Sequence, residues 1–78
     1  MPTVLQAEGF YIKIRLNDHE PAHVHVTKSG GEAVIRLDPV VIQRIWNLNK
    51  QDASRAKRII EANQENLLKA WRSIHGDK

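Results

Sequence analysis

Apolar residues recur at two different periods along this chain. From residue 3 to about 46 they fall at every second position, and from about 51 to 75 they fall at helical spacing. The clearest alternating run is Phe10–Leu16. There Phe10, Ile12, Ile14 and Leu16 share one face of an extended strand, and Tyr11, Lys13 and Arg15 share the other. Thr3-Val4-Leu5, ahead of Glu8-Gly9, is placed to pair with this run as a short hairpin. His23–Thr27 alternates again with Val24 and Val26 inward, and Glu32–Leu37 follows with Ala33, Ile35 and Leu37 inward. Lys28-Ser29-Gly30-Gly31 between them reads as a turn, because paired glycines supply the positive φ of a tight hairpin. Val40–Trp46 fits either a strand or a helix, and its β-branched residues favour strand.

The last segment is helical. Ala53, Ala56, Ile60, Leu67, Trp71 and Ile74 form one stripe, widened by Ile59 and Leu68. Asn49 or Asp52 can cap its start and Gly76 its end. Asn63-Gln64-Glu65-Asn66 is a weak spot, but the stripe stays in register through it. The expected fold is α+β: an antiparallel sheet of four or five strands, residues about 3–46, packed on one long C-terminal helix, about 51–75. One helix covers such a sheet incompletely, and apolar area left open, Trp46 included, points to a partner chain or a homodimer.

Length and composition narrow this picture. Seventy-eight residues make one domain, 1–78, with a small core. The chain has no cysteine, so it has neither disulfides nor thiolate sites, which suits a reducing cytoplasm. No apolar run reaches the roughly 20 residues of a membrane helix, and the N-terminus lacks the pattern of a signal peptide. The expectation is a cytoplasmic protein with no membrane partner. Twelve Lys+Arg against nine Asp+Glu give +3, a weak bias toward anionic partners.

The candidate chemistry lies in Asn17–Val26, NDHEPAHVHV, which holds three of the four histidines. With Val24 and Val26 inward, His23 and His25 point to the other face, roughly 7 Å apart along the strand. Tyr11, Lys13, Arg15 and Arg36 share that face, and His19 lies on a loop stiffened by Pro21. Three readings are open. The histidines are idle solvent-facing positions. Alternatively, His23 and His25 ligate a metal, with His19, Glu20 or Glu32 completing the set. In the third, His19, His23 and His25 are catalytic acid–base groups acting on RNA, with Lys13, Arg15 and Arg36 holding phosphate and Tyr11 stacking on a base. That last chemistry needs no metal and no cofactor, because the 2′-hydroxyl of RNA is its own nucleophile.

Asp18-His19-Glu20-Pro21 leading into His23-Val24-His25-Val26, with GGEAVIRLDPV after it, resembles domain-of-unknown-function family 4160, a group of small bacterial proteins. Met1-Pro2-Thr3 and Leu67-Leu68-Lys69-Ala70-Trp71 support the resemblance, which covers nearly the whole chain. Family members often have two prolines where this chain has Pro21-Ala22. The resemblance implies no established activity. It implies one half of a two-gene module, similar to a toxin–antitoxin pair, with a small partner protein encoded alongside. Small basic toxins often cut RNA, so the leading expectation is an effector acting on RNA. The alternatives are a protein-binding module, or antitoxin-like partner, and a small metal-binding protein.

Overall fold

The computed structural model describes residues 3–76; Met1 and Pro2, part of the resemblance above, lie outside the described residues. The architecture is α+β. Five strands, β1 (Thr3–Ala7), β2 (Phe10–Lys13), β3 (His23–Lys28), β4 (Gly31–Leu37) and β5 (Val40–Trp46), form one antiparallel meander in sequence order. Two helices follow, α1 (Lys50–Ala62) and α2 (Gln64–His75). Among the described residues, no helix is long and apolar enough to cross a membrane.

Alternation sets the core as expected. Phe10, Ile12, Ile14, Val24, Val26, Ala33, Ile35 and Leu37 are buried on one face of the sheet. They pack with Ala56, Ile59, Ile60, Leu67 and Trp71 from the helices. Ambiguous Val40–Trp46 is a strand, and Val41, Ile45 and Trp46 are left exposed at the sheet edge.

Three local expectations need correction. The strand from Phe10 stops at Lys13, and Leu16 is 69% exposed instead of facing inward. The chain turns there: Asp18 N–H donates to the Arg15 carbonyl at 3.2 Å, and the Asp18 carboxylate accepts from Arg15 N–H at 3.1 Å. Competition from a short polar side chain for backbone groups ends a strand in this way.

The paired glycines do different jobs. Ser29 and Gly30 take the positive φ of the β3–β4 turn, at 49° and 83°. Gly31 opens β4, where a Cβ would collide with the Asn47 carbonyl.

The single long helix is two helices. Asn63, between them, donates from Nδ2 to the Ile59 carbonyl at 2.8 Å and from its backbone N–H to Ile60 at 3.1 Å. Its own carbonyl accepts from Leu67 N–H at 2.9 Å. One residue thus closes α1 and opens α2 without throwing Leu67 and Trp71 off the buried stripe. The start of α1 is capped as expected, with Asn49 Oδ1 accepting from Asp52 N–H at 2.7 Å.

Candidate functional site

β3 carries His23 and His25 on the face opposite Val24 and Val26. In register, His25 lies between Lys13 of β2 and Val34 of β4, and His23 lies beside Arg36 of β4. Neither ring is solvent-facing. His25 is 7% exposed and His23 is half-buried, because residues 14–22 fold back over the end of the sheet. That return is tied down toward its far end. Leu37 N–H donates to the Ala22 carbonyl at 3.0 Å, and the Trp71 indole Nε1–H donates to Glu20 Oε2 at 2.9 Å.

The return segment delivers Asp18. Its Oδ2 takes the Arg15 N–H and lies 3.2 Å from His25 Nε2. Its Oδ1 lies 3.4 Å from the Nε2 of His23 and 3.4 Å from the Nε2 of His25. Among the described residues, this trio offers three ligand atoms all within 4.8 Å of one another. Bonds of about 2.0–2.1 Å to a tetrahedral ion would put neighbouring ligand atoms about 3.3 Å apart, so both Asp18–histidine edges have the required length.

His23 Nδ1 lies 2.9 Å from the Pro21 carbonyl, which only accepts, so Nδ1 carries the hydrogen. A neutral His23 therefore aims the Nε2 lone pair at a carboxylate oxygen. His25 faces Glu32 Oε2 from Nδ1 at 3.3 Å and Asp18 from Nε2, two acceptor-only groups. A neutral ring satisfies one of them. Positive charge at the centre, as protons or as a cation, resolves both conflicts. With its Nε2 on an ion, each histidine would give its Nδ1–H to a carbonyl or carboxylate, the outer hydrogen bond that orients metal-ligating imidazoles. Arg15 holds Glu32 in turn, with 3.4 Å between Nη2 and Oε2.

Burial alone would raise the Asp18 carboxyl. The Arg15 N–H, the His25 hydrogen bond and the neighbouring imidazoles together outweigh it and hold Asp18 below its ordinary value of 3.8.

The other expected residues are distributed around this centre. His19 is exposed and does not join the trio. It lines a cleft of about 210 Å³ with Asp18, Glu20, Trp71, His75 and Gly76. Tyr11 is 47% exposed and pairs with Thr27, farther along the sheet than Lys13. Arg15 is engaged by Glu32, whereas Lys13 and Arg36 flank the two histidines in register.

Sequence reasoning missed Asp18 as the third member of this cluster and read Asn17-Asp18 only as a turn. It also gave Trp71 and His75 no part in the site. The rings of His23 and Trp71 lie 5.3 Å apart, and those of Trp71 and His75 lie 4.0 Å apart. His75 Nε2 lies 3.0 Å from the Arg15 carbonyl and its Nδ1 3.2 Å from the Trp71 carbonyl, so α2 braces the segment that carries Asp18.

The model of the family described as Domain of unknown function (DUF4160) matches residues 9–72, and the chain belongs to that family. No curated protein and no solved structure matches it.

Proposed function

We propose that this is a small metal-binding protein in which Asp18, His23 and His25 hold a divalent ion of the zinc type. The carrying observation is that Asp18 Oδ1 stands 3.4 Å from the Nε2 atoms of both histidines, with the His23 electron pair turned inward. Two imidazoles and a carboxylate suit zinc, iron(II), cobalt or nickel better than calcium or magnesium, which prefer oxygen. Three protein ligands leave a fourth position for water or a substrate, and an ion so held polarises whatever oxygen binds there.

Untagged protein titrated with Zn²⁺ in a calorimeter should bind one equivalent. Asp18→Asn and the double substitution His23→Ala/His25→Ala should lose that binding while remaining folded by circular dichroism. Wild-type protein that takes up no Zn²⁺, Co²⁺, Ni²⁺ or Fe²⁺ ends this reading.

A second reading makes the chain the effector half of a two-gene module, with His23 and His25 as base and acid on RNA. Lys13 and Arg36 beside the histidines favour it. The burial of His25 and the commitment of both imidazoles to Asp18 weigh against it, since a proton-transfer group must reach its substrate. Growth arrest and RNA cleavage on induction, both abolished by His23→Ala/His25→Ala, with activity unchanged by chelators, would favour it over the metal site. A partner protein or second copy of the chain has a separate support in exposed Val41, Ile45 and Trp46 on edge strand β5.

A further inference from the structure

We infer that the open side of the Asp18–His23–His25 centre takes a phosphate dianion, held between the ion and the side chains of Lys13 and Arg36. The inference rests on the metal reading and adds its ligand class. Residues directly opposite in an antiparallel sheet project to the same face with neighbouring Cβ atoms. Lys13 is opposite His25 and Arg36 is opposite His23, so each ligating imidazole has a cation on the adjoining strand.

These two cations are not spoken for. Among the described residues, the ion pairs of Lys and Arg use Arg15, Lys28 and Arg55. Arg36 Nε is moreover buried with no hydrogen-bond partner, alone in that respect among the described side chains. A buried N–H without an acceptor is costly, so the Arg36 side chain has hydrogen-bonding capacity that nothing among the described residues uses.

Charge selects the ligand. The ion's two charges exceed the one on Asp18, and Lys13 and Arg36 add two more, while Arg15 and Glu32 cancel. A dianion fits this excess better than a monoanion. Phosphate also has enough oxygens to meet the ion, the planar fork of Arg36 and the point charge of Lys13 at once. Sulfate matches its charge and shape but is a weaker base toward a metal. The recess favours a group that enters end-on, since the His23 and His25 side chains are 16% and 9% exposed. Free phosphate or a phosphomonoester meets that condition; the bridging monoanionic phosphate within an RNA strand does not.

The test uses the full chain loaded with Co²⁺, whose visible spectrum reports its ligands. Inorganic phosphate and phenyl phosphate should each shift that spectrum and bind in a calorimeter, with sulfate at least about tenfold weaker. Arg36→Met should weaken both phosphates about tenfold or more, the weight of a charge-assisted hydrogen bond, and Lys13→Met about threefold to tenfold, each with Co²⁺ affinity within about twofold of wild type. A response to inorganic phosphate alone identifies free phosphate as the ligand, and a response to both identifies the shared phosphate group.

If wild type binds Co²⁺ and its spectrum ignores phosphate, or if both variants bind phosphate as wild type does, this inference is overturned and the metal site stands. If wild type binds no Co²⁺, both are overturned. Equal competition by an oligoribonucleotide lacking terminal phosphates would replace the inference with strand binding.

Discussion

β3 presents two faces that obey different physics. On one, Val24 and Val26 are fully buried among other apolar side chains. On the other, His25 is almost as deeply buried, but its neighbours are carboxylates and cations. The valines need only shape and an absence of water. The histidines need a definite charge at a definite point. Alternation along a strand assigns residues to faces, but it does not say that the second face is exposed. Here the second face is covered at the histidines by the chain's own return through Asp18 and Glu20, pinned to Trp71.

The largest effect should come from breaking the apolar face. Ile35 is fully buried in β4, opposite Val24. Ile35→Ala should cost about 2–5 kcal/mol in urea unfolding. For 78 residues the whole stability is of the order of 4–12 kcal/mol, so this is a large share of it. Zn²⁺ at a hundred times its dissociation constant should return about 2.7 kcal/mol to wild type and to Ile35→Ala alike, but nothing to His25→Ala. An equal zinc response in His25→Ala would show that the two faces do not differ in the way described.

The same contrast explains how much was legible beforehand. Spacing of two identified Phe10, Ile12, Val24, Val26, Ala33, Ile35 and Leu37 as core because apolar burial is a property of the local pattern. Asn63–Asn66 was legible as a weak spot but not as a break, since Leu67 and Trp71 stay on the stripe and only the Asn63 hydrogen bonds reveal the interruption. Leu16 was misassigned because the strand ends through a side-chain bond to the backbone three residues away. Spacing brought His23 and His25 forward as candidates, and the family signature singled them out together with His19, which stays outside the cluster. Asp18 was not, because its role depends on a segment folding over a sheet whose strands pair independently of it. The available signal was an acidic turn residue close to His-x-His, with Pro21 between.

A smaller effect should follow from loosening the cover of the polar face. Trp71→Phe keeps an aromatic ring beside His23 and removes the N–H given to Glu20. Glu20 is exposed and regains water, while the smaller ring leaves space in the core where Trp71 is buried, so the cost should be about 1–2 kcal/mol. Zn²⁺ affinity should fall several-fold, because Asp18 is held less firmly at its place. Unchanged zinc affinity would mean that the Arg15–Asp18 turn positions the carboxylate without help from α2.

The smallest effect is read in metal-free protein across pH, and its sign separates charge from packing. Asp18 has its folded pKa lowered, with the Arg15 N–H and the imidazoles overcoming the opposing influence of burial. A carboxyl depressed on folding adds stability at pH above its unfolded value, about 3.9, and that stability disappears as pH falls through the folded value. Asp18→Asn should therefore be less stable than wild type near pH 7, and the gap should close progressively below about pH 4 as wild-type Asp18 takes up its proton. Ile35→Ala has no titrating group at stake, so its deficit should stay parallel to wild type over the same interval. Denaturant midpoints from pH 7 to pH 2.5 in chelator measure both gaps. A constant gap for Asp18→Asn would mean that the carboxylate acts by shape alone and that the polar face is held together in the same way as the apolar one.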